Sequence, residues 1–254
     1  MKTIIYIAGL YHSGSTVLER KLTFSSSIIG LGEIFKYLTD GPEDFCSCGS
    51  KSSECNFWSK INLKSYSRNK SKETLDKEYK YILDRVQEFD KNIEFIIDGS
   101  KCHPKSTISN YKNLKGLFFH TRNSAHNLKV IRLFRDPRSW VPSIVRREKR
   151  FKRKNLLYFI YFSFIGRCLR WAQWIIMNRL IDDFIYQNNL EFINISYEDL
   201  CLKTENTIAR LNKFLNLDIP LEDKIPERAN SHITVGNPSR LNPKIKNEIS
   251  YDTR

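Results

Sequence analysis

The stretch that decides the fold lies at the amino terminus and reads Thr3-Ile-Ile-Tyr-Ile-Ala-Gly9-Leu-Tyr-His-Ser-Gly14-Ser15-Thr16. Its first six residues are mostly apolar, and a short apolar run of this kind predicts a strand buried on both faces. The glycine spacing that follows is that of a phosphate-binding loop, G-x-x-x-x-G-K-[ST], except that Ser15 stands in the lysine position. A helix predicted from Ser15 would aim its N-terminal backbone N–H groups at an anion. The stretch therefore predicts a strand, a phosphate loop and a helix in succession.

Further apolar runs occur at 94–98, 128–134 and 191–196, with helical patterns between them. This alternation predicts an α/β fold, a P-loop-type three-layer sandwich with a central parallel sheet flanked by helices. We expect a single domain over residues 1–254, with a cysteine-containing insertion at about 40–60 and an irregular surface tail at about 220–254. Ligands of such sheets bind at the carboxyl ends of the strands, where the unusual polar residues of this sequence fall.

The charge balance favours an anionic ligand or partner. Lys and Arg number 42 against 28 Asp and Glu, which gives a formal net charge of +14. A phosphorylated ligand, an acidic acceptor, nucleic acid or an anionic membrane surface would each suit that charge. The basic run at 146–154 is either a solvated face or a binding face for an acidic or membrane-surface partner, and we expect no nucleic acid. The apolar run at residues 1–10 is too short for a secretory signal and lacks a small-residue cleavage site, so we expect a cytoplasmic protein. No apolar stretch reaches the roughly 18 residues of a membrane-spanning helix.

A second polar motif follows the predicted strand at 128–134 and reads Arg135-Asp-Pro-Arg138-Ser-Trp-Val-Pro-Ser143. Asp136 and Pro137 are residue types that start a helix. Ser143 then lies about one and a half helical turns beyond Arg138, near enough for its hydroxyl to share one phosphate with the Arg135 guanidinium. The motif predicts a second anion contact at the same edge of the sheet.

The two motifs together resemble the 5′-phosphosulfate loop and the 3′-phosphate motif of the PAPS-dependent sulfotransferases, in the style of bacterial and Golgi-type carbohydrate and protein-tyrosine enzymes. The resemblance implies transfer of a sulfuryl group from 3′-phosphoadenylyl sulfate (PAPS) to a hydroxyl or amine, with adenosine 3′,5′-bisphosphate as product and no metal required. A late segment, His232 to Arg240, resembles the loop that closes over the cofactor in this family. The cofactor contacts so implied come from Tyr11, His12, Ser13, Gly14, Ser15, Thr16, Arg135, Ser143, Gly236 and Arg240.

The same resemblance implies three catalytic candidates. Glu33 matches the glutamate that serves as base in some members, and Lys101, after the strand at 94–98, matches the lysine that stabilises the transferring sulfonate. His12 is a second donor or an alternative base. The acceptor is left open as a carbohydrate, lipid, peptide or small alcohol.

Two other classes of protein compete with this interpretation. A P-loop kinase-like phosphotransferase needs a loop lysine and magnesium ligands, and the sequence offers neither in a recognisable pattern. A non-catalytic basic nucleotide- or nucleic-acid-binding protein leaves the pairing of Arg135 with Ser143 unexplained.

The insertion carries three closely spaced cysteines, in Cys46-Ser-Cys48-Gly and in Cys55 before Phe57-Trp58. They could bind zinc with a fourth ligand from elsewhere, or form one disulfide and leave a free thiol. Because no C-x-x-C pair is present, no metal is assigned, and thiol, disulfide and metal stay open. Similar insertions in some bacterial-type sulfotransferases imply a structural lid near the acceptor cleft.

Overall fold

The computed structural model describes residues 2–63, 65–101, 109–122, 124, 126–149, 164–221, 230–237 and 241. Its centre is a five-stranded parallel sheet with the strand order β2-β3-β1-β4-β5. The strands are β1 (Thr3–Gly9), β2 (Ile28–Gly30), β3 (Phe95–Asp98), β4 (Asn127–Phe134) and β5 (Glu191–Ser196). The helices are α1 (Ser15–Leu22), α2 (Ile34–Asp40), α3 (Lys72–Phe89), α4 (Ser109–Arg122), α5 (Pro137–Lys149), α6 (Phe164–Gln187), α7 (Tyr197–Leu202) and α8 (Thr204–Leu215), with a 3₁₀ turn at Trp58–Lys60.

Side chains of the central strand alternate between two hydrophobic cores, one on each face of the sheet. Ile4 and Tyr6 of β1 belong to the core that includes apolar residues of α2 through α6. Ile5 and Ile7 belong to the opposite core, with α1, α7 and α8. Successive residues of a strand point to opposite faces, so a strand that is apolar throughout is buried on both. The predicted α/β class and three-layer arrangement are thereby confirmed.

The four apolar runs of the sequence are all strands, but three elements were missed. The first is β2, whose three residues are too few for a periodic pattern. The other two are α2, which follows β2 in the chain, and α4, which follows β3. The apolar run at 94–98, the second of the four in the sequence, is therefore the third strand of the structure, and Lys101 follows it. The apolar and aromatic stretch that starts at residue 156 also predicts a long helix; the structure describes this helix from Phe164 onward, and residues 156–163 lie outside the described part.

The prediction of a surface tail was wrong for residues 231–235, whereas Leu221, Asn237 and Leu241 are exposed. Residues 231–235 are buried, with Thr234 fully enclosed. The segment runs beside β2, where Gly30 N donates to Asn230 O at 2.9 Å and His232 N donates to Gly30 O at 2.8 Å. Because β2 is the edge strand of the sheet, its unpaired backbone groups can accept this extra segment, which supplies the hydrogen bonds that burial demands.

Two expectations concern segments that are only partly described. In the described part of the chain, no helix is both long and apolar enough to cross a membrane. The basic run continues α5 as far as Lys149, but its side chains and residues 150–154 lie outside the description.

Candidate nucleotide and sulfuryl-transfer site

The phosphate loop joins β1 to α1 at the carboxyl edge of the sheet. His12 and Gly14 both have left-handed backbones, with φ of 64° and 88°, and Gly14 caps α1. A Cβ on Gly14 would lie 2.3 Å from Cδ2 of Tyr197, so only glycine fits this turn. The Ser15 hydroxyl is buried and has no hydrogen-bond partner among the described residues. The loop thus combines a helix N-terminus with an unsatisfied buried hydroxyl, which are features of an anion site.

Arg135 lies beside this loop because β4 is the parallel neighbour of β1. Its guanidinium is buried, with Nη1 donating to His12 O at 3.1 Å and Nε donating to Ser139 Oγ at 2.9 Å. The ring of Tyr197 lies 4.4 Å from its Cζ, a cation–π contact. Nη2 has no hydrogen-bond partner within the described ranges. The structure therefore holds the guanidinium rigidly and leaves one of its donors unsatisfied next to the loop.

His12 joins the two predicted motifs. Its Nδ1 lies 3.1 Å from Ser143 Oγ on α5, while its carbonyl accepts from Arg135. Trp140 on the same helix donates from Nε1 to Tyr11 O at 2.7 Å. Arg135 and Ser143, predicted to share one phosphate, are thus brought to the same residue of the loop, and the spacing of the second motif is explained by this contact.

Lys101 and Glu33 form an ion pair on the opposite side of the loop. Lys101 Nζ is 3.2 Å from Glu33 Oε1 and donates to Thr16 Oγ1 at 3.2 Å. Glu33 directly precedes the first residue of α2, and its side chain makes no capping hydrogen bond, while Lys101 follows β3. Both side chains are only slightly exposed, 12% for Lys101 and 16% for Glu33. Three residues predicted for the site, separated by up to 85 positions in the chain, therefore meet in one contact.

Two buried carboxyl groups beneath this pair were missed by sequence reasoning. Glu19 accepts from Gly32 N at 2.7 Å, and burial raises its pKa to about 8 against the lowering effects of that bond and of Lys101. Asp98 accepts from Ser100 N at 2.7 Å, and burial raises its pKa to about 6. The available signal was weak, since Glu19 lies three residues after Thr16 and so on the same face of α1.

The late loop reaches the site at Gly236. A Cβ built on Gly236 would lie 3.7 Å from Glu33 Oε1, and Glu33 N donates to Val235 O at 3.5 Å. Gly236, predicted as a cofactor contact, thus lies beside the candidate base. Arg240 lies outside the described residues.

The fold and the loop define a P-loop-like, nucleotide-binding α/β protein. Comparison with protein families assigns the class more narrowly: the profile of the sulfotransferase family matches residues 5–223. The chain belongs to the sulfotransferase family, and it is a transferase of sulfuryl groups.

Comparison with solved structures finds a sulfotransferase domain from the curacin biosynthetic pathway, at 18% identity and a TM-score of 0.48, covering 98% of this chain and 88% of that one. It also finds a deoxyadenosine kinase from M. mycoides with bound dCTP, at 20% identity and a TM-score of 0.31, covering 83% of this chain and all of that one. The comparison with curated proteins finds no match.

Proposed function

We propose that this protein transfers a sulfuryl group from PAPS to an acceptor hydroxyl or amine. The observation that carries the proposal is the pair of buried donors, Ser15 Oγ and Arg135 Nη2, which have no partners in the described part of the structure and lie on the loop and at the strand end beside it. An unsatisfied buried polar group costs about 1–3 kcal/mol, so such groups commonly mark a missing ligand. An anionic ligand at this edge of the sheet would satisfy both.

The residues of the site fit PAPS. The loop residues 11–16 would hold the 5′-phosphosulfate, and Arg135 with Ser143 would hold the 3′-phosphate. PAPS, when bound, supplies an activated sulfuryl group on a phosphate leaving group. The formal lack of a lysine at position 15 fits this smaller charge at the 5′ end, since that lysine serves β- and γ-phosphates in nucleoside triphosphatases.

Lys101 supplies the positive charge that the loop itself lacks. Its contact with Thr16 places the ammonium next to the start of α1, although the lysine comes from β3. An ammonium held here stabilises negative charge that develops on the transferring group or on the leaving oxygen. Glu33, paired with Lys101, is the carboxylate placed to accept the proton of the acceptor.

His12 takes the supporting role in this proposal. Its ring nitrogen lies against Ser143 and its carbonyl against Arg135, so it holds those two residues in place instead of acting as base. We propose that the acceptor binds next to Glu33. Carbohydrate, lipid, peptide and small alcohol acceptors are separated by assaying each class with labelled PAPS.

We also propose a cytoplasmic location. None of the five cysteines in the described residues forms a disulfide, which suits a reducing compartment. The basic run at 146–154 is proposed as the face toward an acidic acceptor or an anionic membrane surface. Binding to anionic and neutral vesicles, compared at low and high salt, tests the membrane alternative.

Calorimetric titration with adenosine 3′,5′-bisphosphate, without magnesium, tests the cofactor assignment. Arg135→Ala should weaken binding about 10- to 150-fold, because a hydrogen bond to a charged group contributes about 1.5–3 kcal/mol. Arg138→Ala is the matched control, since Arg138 lies three residues on, is highly exposed and pairs with Asp136. The wild type should also bind adenosine 5′-monophosphate much more weakly than the bisphosphate.

Three outcomes would contradict the assignment. Equal affinity for the monophosphate and the bisphosphate would show that the protein has no 3′-phosphate site. Equal effects of the two arginine substitutions on affinity would show that Arg135 has no specific role in binding the 3′-phosphate. Magnesium-dependent binding of ATP in preference to the bisphosphate would favour the kinase-like alternative.

A further inference from the structure

Three thiols and one imidazole converge where the insertion meets the tail. The Sγ atoms of Cys46, Cys48 and Cys55 and a ring nitrogen of His232 all lie within 4.8 Å of one another. His232 comes from 177 residues beyond Cys55 in the chain. Cys46, Cys55 and His232 are buried, and Cys48 is exposed. We propose that these four residues hold a structural zinc ion, which would lie outside the sulfuryl-transfer site and would need no part in its chemistry.

The separations of the other three atoms from Cys55 Sγ fit a tetrahedral zinc site. Cys55 Sγ lies 3.8 Å from Cys48 Sγ, 3.6 Å from Cys46 Sγ and 3.3 Å from His232 Nδ1. Zinc with Zn–S bonds of about 2.3 Å and Zn–N bonds of about 2.05 Å sets sulfur atoms about 3.8 Å apart and sulfur and nitrogen about 3.6 Å apart. The three cysteines are free thiols, and their sulfur separations are well beyond the roughly 2.05 Å of a disulfide.

A tight turn presents the first two thiols together. Cys46 N donates to Ser50 O at 3.0 Å, and Gly49 N donates to Cys46 O at 3.0 Å. Gly49 adopts φ of 98°, a left-handed value that glycine accepts without strain. The turn is short enough for two cysteines that are separated by one residue to reach the same ion, so the absence of a C-x-x-C pair does not exclude a metal.

The imidazole is held in place from several sides. Trp58 Nε1 donates to the carbonyl of His232. The rings of Phe57 and Phe89 have centroids 5.9 Å and 5.4 Å from that of His232. A side chain whose backbone and ring are both fixed keeps Nδ1 aimed at the thiols, as a preformed metal site requires.

The donor set selects zinc and a structural role. Thiolates and imidazole are soft to borderline ligands, which favour zinc over the oxygen-preferring calcium and magnesium. Four protein ligands complete a tetrahedron and leave no position for water or substrate, whereas a catalytic zinc keeps one open.

The ion would join the insertion to the tail next to the transfer site. Around the cluster, Ser47 N donates to Ile233 O at 3.0 Å, and Ile233 N donates to Ser47 Oγ at 2.8 Å. Three residues after His232, Val235 accepts from Glu33 N. A metal that fixes His232 therefore also fixes the backbone that packs against Glu33. This inference stands on the cluster geometry and is independent of the proposed donor and acceptor.

Metal analysis of the full chain, purified under reducing conditions without chelator, tests the proposal. We expect one zinc per chain. Stripped protein titrated with Co²⁺ should develop the thiolate-to-cobalt charge-transfer bands and intense d–d bands of a tetrahedral thiolate site. Hydrogen exchange of the Ser47 and Ile233 amides should speed up when zinc is removed and slow again when it is restored.

Three variants identify the ligands. His232→Ala should lose metal affinity by more than about 100-fold, since loss of a mere outer-shell partner already costs about 10- to 100-fold. His232→Cys should keep the metal, because a thiolate can replace the near ring nitrogen. Cys201→Ser, a thiol on α7 outside the cluster, should bind zinc as the wild type does.

The proposal is overturned by wild-type protein that contains no zinc and shows no thiolate-to-cobalt bands. It is also overturned by a disulfide between any two of the three cysteines in the reduced preparation, or by a His232→Ala variant that binds zinc as tightly as the wild type. Should His232→Ala fail to fold, the wild-type cobalt titration and the His232→Cys variant still decide the question.

Discussion

The buried carboxyl of Glu19 should make the stability of this protein fall as the pH rises through the neutral range. Its side chain is fully enclosed beside Gly30, Gly32 and Gly99, and burial raises its pKa from 4.5 to about 8. Between these two values the folded state binds one proton more than the unfolded state. The favourable contribution is therefore complete below about pH 4.5 and is lost as the pH rises toward about 8.

The perturbation is Glu19→Gln, which keeps the oxygen that accepts from Gly32 N and removes the titration. Each pH unit in this window changes the free energy of unfolding by about 1.4 kcal/mol, so the variant should gain about 2–3 kcal/mol relative to the wild type between about pH 5.5 and pH 7.5. Urea unfolding of both proteins at both pH values measures this gain. The midpoint of the variant minus that of the wild type should be about 1 M larger at pH 7.5 than at pH 5.5.

The difference between variant and wild type isolates Glu19 from Asp98, whose pKa is raised in the same direction. Glu205→Gln, at an exposed position in the first turn of α8, controls for loss of a surface carboxylate. A stability difference between Glu19→Gln and the wild type that is the same at both pH values would refute the argument.

Two further predictions concern the phosphate loop and the ion pair beside it. Gly14→Ala should lower the free energy of unfolding in urea by about 2–4 kcal/mol, because alanine is strained in the left-handed backbone and its methyl group would clash with Tyr197. The control is Gly49→Ala, where φ is similar but no atom lies within 4 Å of the new methyl group, and the loss should be about 1 kcal/mol. Equal losses would contradict the clash. Lys101→Met and Glu33→Gln should lower kcat for transfer of labelled sulfate by at least about 100-fold, with adenosine 3′,5′-bisphosphate affinity changed less than about threefold. If the affinity for adenosine 3′,5′-bisphosphate fell in parallel with kcat, the ion pair would have a structural role and not a catalytic one.

Local pattern predicted the elements that are long or chemically marked. The strands at β1, β3, β4 and β5 begin and end within one residue of the apolar runs, because strands buried on both faces must be apolar throughout. β2 was not predicted because three residues are too few to show a period. Without β2 the full strand order of the sheet could not be predicted either.

The candidate site was predicted as a set of residues, not as an arrangement. Thr16, Glu33 and Lys101 were each named from the sequence, yet their common contact depends on β3 lying beside β1. The buried environment of Glu19 could not be predicted, because a glutamate on a helix is ordinarily solvated and only the packing of Gly32 over it shows otherwise.

The sequence by itself determined the α/β class and the residues of the two candidate motifs, since these follow from short spacings and from the period of apolar residues. The tertiary structure alone decided that the Lys101 ammonium contacts Thr16 of a loop that lacks the usual lysine, and that His232 lies beside three cysteines from the other end of the chain. The physical reason is that spacing along the chain governs local hydrogen bonding and burial, whereas contacts over 85 or 177 residues depend on strand order and on the edge that the tail covers.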